Sequence, residues 1–441
     1  MLLTFLATLC MVRYATASCR TDAAGRDAAR AAFALRGRQG GSASHLASAR
    51  AKSGAKDPAP TPRIEPALRI ATRPLIHGRA IYQQRGIDAQ RWPQELGLQF
   101  LDDERLILSF VGNAEKPTLL PRGEEHAGEE HTVNAIVLSP TTGRVLREAA
   151  WPATSPWSRV LSAADAGLIL QSGDRFELVT PELAIAKTLL LPPPPPPPWA
   201  PGAEAEYLAY ASPDGSRLLV TGTFKTSIPW RWVDAQSMEV LTSFRRPPGE
   251  WNNPCVSRDR IWAALIGGNR FLWTRTPATE WRRMALPQFD GDETDCWSGV
   301  GPGMVYGVAD RRDLPHEPID LGGFIANGEG GNIWKVETDP KEGGPGRAAV
   351  SRRGKRFVVL VEKLVGGIDW LDVSGHTVLR GVLIYDSPFG AAPRHYAVAK
   401  SNVREIYATA LSPDGRHLAV LGRNEVIEVF DLPPAPAELR Q

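Results

Sequence analysis

The chain has 441 residues, of which 43% are hydrophobic and 23% charged, with a net charge of +2, and that length admits either two or three average domains or one large β-rich unit. Nine Arg and Lys against three Asp lie between residues 20 and 63, which leaves residues 64–441 mildly acidic and gives no support to the clustered basic surface of a nucleic-acid binder. Four cysteines are too few for a disulfide scaffold.

Residues 1–18, MLLTFLATLCMVRYATAS, carry an apolar run from Leu2 to Val12 and then Ala15-Thr16-Ala17, the small-residue pattern of a cleaved export signal, although no Lys or Arg precedes the run. If the signal is of the lipoprotein kind, Cys19 is the residue modified and the membrane is met only through that anchor. The expected location is secreted or periplasmic, with envelope tethering as the lipid-anchored variant. No later apolar stretch is long enough to span a bilayer. Residues 19–63 are rich in Ala, Arg, Ser and Gly without periodicity and are expected to form a disordered linker.

From residue 64 to 435 the text is repetitive. SPDGSRLLV at 212–220 returns as SPDGRHLAV at 412–420. Pro presets one turn position, while Asp and Gly accept the tight or left-handed ones, so the shared phrase encodes a turn entering an apolar strand. More degenerate copies begin at Phe100 (FLDDERLILSFVG), Leu161 (LSAADAGLILQSG), Val256 (VSRDRIWAALIGG), Trp297 (WSGVGPGMVYGVA) and Val350 (VSRRGKRFVVLVE), giving seven units whose turns lie 41 to 61 residues apart. That spacing brackets the period of a four-stranded propeller blade. A fourth strand ending at proline follows several turns, with Pro152, Pro192, Pro247 and Pro287 as the stops, where no ladder N–H is required.

The last unit stops after EVIEVFDLPP, one strand short, and an orphan apolar stretch, ALRIATRPLIHGRAIY (67–82), precedes the first. The expected fold is therefore all-β: a seven-bladed β-propeller of four-stranded antiparallel blades, closed by an N-terminal strand that completes the last blade. Residues 436–441 are expected to be a tail. The turns at Ser212–Val220 and Ser412–Val420 resemble the WD40-like repeats of TolB-type bacterial β-propellers; no unit carries the Gly-His pair or closing Trp-Asp of eukaryotic WD40 repeats.

Candidate chemistry is sparse. There is no G-x-S-x-G elbow, H-E-x-x-H helix or phosphate-cradling glycine loop. GEEHAGEEH (123–131) offers His126 and His131 with a carboxylate as metal ligands, against the plain reading of a charged insert in the first unit. DGDETD (290–295) offers Asp290, Asp292 and Asp295 as oxygen ligands, without EF-hand spacing. Cys255 and Cys296 precede equivalent turns in neighbouring units, so either a staple between blades or two buried thiols fits. Trp230, Trp232, Trp262, Trp273, Trp281 and Trp297 fit packing between blades better than ligand stacking. PPPPPPPW, from Pro192 to Trp199, is an extended spacer or a docking ligand.

The sequence favours an exported, monomeric binding module for a protein, peptide or glycan, with no cofactor and no nucleic acid. The alternative is a propeller enzyme of lactonase or glycan-acting type holding Ca2+ or another divalent ion in its funnel.

Overall fold

The computed structural model describes residues 61–436 apart from 77–79, 81, 86–89, 94–95, 114–118, 121–130, 155–157, 195–206, 223–227, 248–253, 265–270, 287–292, 312–319, 330–331, 340, 366–375 and 387–391. Residues 61–119 and 128–441 form one compact unit, and it is this unit that is treated below.

That unit contains a ring of seven antiparallel sheets, with a separate hairpin of Tyr82–Arg85 and Gln90–Pro93 outside the seven. From the innermost strand outward, blade 1 comprises Gly97–Asp102, Arg105–Asn113, His131–Leu138 and Val145–Ala153, and blade 2 comprises Arg159–Ala164, Gly167–Ser172, Arg175–Val179 and Ile185–Leu190. Blade 3 is built from Tyr207–Ala211, Arg217–Gly222, Trp230–Asp234 and Glu239–Phe244; blade 4 from Cys255–Val256, Ile261–Ala264, Phe271–Arg275 and Arg282–Ala285. Blade 5 contains Glu293–Gly301, Met304–Arg311, Asp320–Asn327 and Ile333–Val336. Blade 6 contains Gly344–Val350, Arg356–Val365, His376–Asp386 and Arg394–Val398, and blade 7 contains Ile406–Leu411, His417–Gly422 and Val426–Asp431.

The recurring turn joins each blade's two innermost strands. In blade 3 the Ser212 amide donates to the Arg217 carbonyl at 2.9 Å and Gly215 N–H closes back on the Ser212 carbonyl at 2.8 Å, with Gly215 at φ 65°. Blade 7 repeats this from Ser412 to His417 at 2.8 Å with Gly415 at φ 73°, and blade 6 from Ser351 to Arg356 at 2.8 Å with Gly354 at φ 68°. The serine hydroxyls are buried and bonded: Ser212 and Ser412 donate to Asp214 and Asp414, which in turn accept the amides of Ser216 and Arg416. The SxDG phrase thus satisfies its own buried polar groups at a point where a left-handed residue is needed.

Packing follows the ring. Seven apolar clusters occupy the seven gaps between blades, for instance Val160, Leu168 and Val137 between blades 1 and 2, and Phe357, Tyr306 and Val359 between blades 5 and 6. Trp230 and Trp232 are buried between blades 3 and 4 with Trp273 and Trp281 packed beside them, and Trp262 is buried between blades 4 and 5, so these indoles are core. Their burial supplies the large apolar area that a ring of thin sheets needs.

The ring closes as the sequence predicts. Pro66–Ala71 pairs antiparallel with Val426–Asp431 and becomes the outer strand of blade 7. A one-turn helix, Arg73–Ile76, then drops the fully buried Ile76 into the gap between blades 7 and 1. Two features go beyond the expectation. Arg63–Ile64 adds a fifth strand to blade 6, parallel to Arg394–Val398, so one N-terminal segment edges two blades. Pro152 does not end its strand but sits within Val145–Ala153, which an edge position tolerates because its missing N–H faces no ladder partner.

Candidate functional site

Two regions carry features that the fold does not require. The first is the axial channel, walled by the innermost strands of all seven blades. Its wider section, about 380 Å³, is lined by Gln99 of blade 1, Arg159 of blade 2, Tyr210 of blade 3, Ser298 of blade 5, Arg347 of blade 6 and Thr409 of blade 7, among smaller residues. It runs into a section of about 180 Å³ that shares Gln99, Ser298 and Thr409 with it. Glycine is required where the walls crowd together: a Cβ on Gly299 would lie 2.3 Å from the Val256 carbonyl oxygen of blade 4.

The narrow end is bolted by one side chain. Arg352, in the turn of blade 6, donates from Nη1 to the Ala164 carbonyl of blade 2 at 2.8 Å and from Nη2 to the Leu101 carbonyl of blade 1 at 3.0 Å. Its Nε lies 3.0 Å from an Asp165 carboxylate oxygen, and the side chain is only 11% exposed. Burial lowers the Arg352 pKa, with Asp165 opposing that effect. The planar fork suits this role because it engages two carbonyls and a carboxylate from one position.

Electrostatics in the wide section are cationic. The Arg159 guanidinium reaches the Ala209 carbonyl of blade 3 at 3.5 Å. Arg347 stays in contact with solvent, yet the surrounding walls lower its pKa by burial, and Glu362 pulls the other way. The Glu362 carboxylate accepts the Arg347 amide at 3.2 Å and is itself pushed upward by burial. Burial raises the Tyr210 hydroxyl to about 12, against the pull of Arg159, so it remains a protonated donor at neutral pH.

The second region is the outer edge of blades 1, 2 and 3. Each outer strand begins with a β-bulge at the same register position. Val145 pairs with Leu138 and Arg147 with Val137, skipping Leu146; Ile185 pairs with Val179 and Lys187 with Leu178, skipping Ala186; Val240 pairs with Val233 and Thr242 with Trp232, skipping Leu241. A bulge re-aims side chains locally, and here it leaves Val145, Leu146, Ile185, Val240 and Leu241 exposed, Leu146 at 51% and Leu241 at 50%. Leu190, near the other end of blade 2's outer strand, is 68% exposed.

The residues singled out from sequence are not gathered into one site. His131 is buried at the start of a blade 1 strand, paired in register with Asn113 and Ala153, while His126, Asp290, Asp292 and Cys19 lie outside the described residues. The backbone of Asp295 pairs with Val308 in blade 5, and its side chain is outside the described set. Among the described residues, no group of three or more His, Cys, Asp or Glu is placed to hold a metal. Cys255 is buried on the channel wall and disulfide-bonded; the Cys296 backbone pairs with Gly307 of blade 5 and its side chain is not described. No described helix is long and apolar enough to cross a membrane. Arg159, Arg347, Arg352 and the bulged aliphatics belong to none of the candidate site motifs in the sequence. The aliphatics leave a trace in the text, VL, IA and VL opening three successive fourth strands, whereas the arginines meet only through the closed ring.

No family model matches the sequence and no curated protein matches it. Among solved structures, the chain is similar to the WD40 domain of Pan2 from Neurospora crassa, at 12% identity and a TM-score of 0.48 over 85% of this chain and 96% of that one. It is also similar to a chain of the mitotic checkpoint complex, at 11% identity and a TM-score of 0.47 over 86% and 98%. Unrelated functions share the propeller architecture, so the functional reading rests on this chain's own residues.

Proposed function

We propose that the chain is an exported β-propeller that works as an interaction module, taking a protein partner on the outer edge of blades 1 to 3. The observation that carries this reading is the repeated aliphatic bulge, Val145-Leu146, Ile185-Ala186 and Val240-Leu241. Blade 7 has the same bulge, between Pro66 and Leu68 against Phe430 and Val429, and fills it with Pro66 and Ala67. The geometry therefore does not demand large aliphatics, and a recurring exposed apolar row is the signature of a binding surface. Peptide and glycan partners belong to the same reading at lower apolar content.

The test compares what is captured by the wild-type chain, by Leu146→Asp/Leu241→Asp, and by Leu364→Asp, which alters an exposed leucine on blade 6, after cross-linking in the native host. A protein retained by wild type and Leu364→Asp but lost from the double variant is the expected result. Identical captures by all three overturn the reading. Export is checked separately by the mass of the mature N-terminus, expected at Ser18 after Ala15-Thr16-Ala17, or at an acylated Cys19 if the signal is of the lipoprotein kind.

A further inference from the structure

The rim reading leaves the axial channel without a task, although its lining is chemically specific. Small residues, Gly97, Ala209, Ala211, Gly299 and Ala408, hold the bore open. Into it come two guanidiniums, one from blade 2 and one from blade 6, two blades that stand on nearly opposite sides of a seven-membered ring. Arginine keeps its charge at any physiological pH and presents a planar fork matched to carboxylate oxygens. Among the described residues no Asp or Glu lines the channel; the Glu362 Oε1 accepts the Arg347 backbone amide at 3.2 Å, and its carboxylate favours the charged guanidinium of that residue. The remaining polar groups are the Gln99 amide and the Tyr210, Ser298 and Thr409 hydroxyls; Ser298 donates to the Gly299 carbonyl at 2.9 Å and Thr409 to the Ala348 carbonyl at 3.4 Å, which leaves their oxygens as acceptors. Arg352 ties the far end with bonds to blades 1 and 2.

We infer that the wide section of the channel binds a small dicarboxylate, one acidic group on Arg159 and the other on Arg347, with the hydroxyls and amide contacting its middle. A dianion with its charges at two ends can engage a cation on each of two walls. A volume of about 380 Å³ lies in the range of small-molecule sites.

Calorimetry on the full chain at low ionic strength, with succinate and glutarate as probes and inorganic phosphate and the corresponding diamides as comparisons, tests this. Saturable one-to-one binding of a dicarboxylate, weakened about tenfold or more by either Arg159→Met or Arg347→Met and unchanged by Arg353→Met, is the expected result. Absence of saturable dicarboxylate binding, equal binding of the diamides, or binding of phosphate but not of dicarboxylates overturns it. Should the arginine variants fail to fold, phenylglyoxal labelling of the wild type gives the same decision. The dicarboxylate must protect Arg159 and Arg347, read by peptide mass, while Arg353 labels equally with and without it. Unprotected Arg159 and Arg347 sink the assignment.

Discussion

The outer edges of blade 7 and of blades 1 to 3 share one bulge and finish it in opposite ways. On blade 7 the edge strand is the N-terminal segment: Pro66 and Ala67 occupy the bulge, Leu68 and Ile70 pack beside Gly143 of blade 1, and Arg69 reaches back to Glu428 at 2.9 Å. On blades 1 to 3 the bulge carries Val-Leu, Ile-Ala and Val-Leu into solvent. Both solutions disturb the row of edge N–H and C=O groups that would otherwise invite strand pairing. Only the second leaves apolar surface over. The contrast teaches that the bulge is an architectural device, common to four blades, and that its aliphatic filling on three of them is a separate choice.

The comparison breaks most completely if the covered edge is removed. Deleting residues 63–76 strips blade 7 of its outer strand, blade 6 of its fifth strand and the blade 7–blade 1 gap of Ile76, leaving an open ring. The expected outcome is loss of the cooperative thermal transition followed by circular dichroism; a truncated chain that melts like the parent contradicts closure by this segment. A milder break is Arg69→Met. The Glu428 carboxylate is 0% exposed and is held by Arg69, by the Ser401 hydroxyl at 2.6 Å and by the Asn402 amide at 2.9 Å. Among the described residues, removing the Arg69 guanidinium leaves the buried charge on two neutral donors, at an expected cost of about 1–3 kcal/mol in denaturant unfolding. Leu146→Ser on the exposed edge is expected to stay within about 0.5 kcal/mol of the parent. Equal losses from the two substitutions would show that the edges are not different in kind.

How much of this was legible varies with how local each signal is. The turn at Ser212–Arg217 is written within six residues, because Ser212, Asp214 and Gly215 satisfy one another, so its copies could be counted. Closure was legible because a missing strand after Val426–Asp431 and a spare one before blade 1 are complementary absences. The fifth strand of blade 6 was not, since Arg63–Ile64 offers two residues in a parallel pairing with no pattern of its own. Arg352 is, in sequence, one residue of a degenerate turn; its partners lie 188 and 251 residues away and are brought near only by the circle. Arg159 and Arg347 share that difficulty, as each is a single cation on a strand until opposite blades face one another.

The smallest effect expected sharpens the comparison from the exposed side. Asp234 ends the strand that precedes blade 3's bulge and organises the turn into it, accepting the amides of Gln236 at 3.0 Å and Ser237 at 2.8 Å and pairing with Arg217. Burial pushes its pKa up, but the Ser237 amide, Arg217 and the Gln236 amide together hold it below the ordinary 3.8. A carboxyl whose pKa is depressed on folding contributes stability that is complete above 3.8 and fades as pH falls through the lower folded value. Amide exchange at residues 236–241, corrected for intrinsic rates, should therefore quicken at the acid end of that window in the wild type. Asp234→Asn should show the faster exchange at every pH, because it removes the charge while nearly preserving shape. The turn before blade 1's bulge is held without a carboxylate, by the Ser139 hydroxyl accepting the Thr142 amide at 3.2 Å and the Gly143 amide donating to the Ser139 carbonyl at 2.8 Å, and should show no such step. A step of equal size in both turns would mean that the acid sensitivity belongs to the ring as a whole and not to the carboxylate that aims Val240 and Leu241 outward.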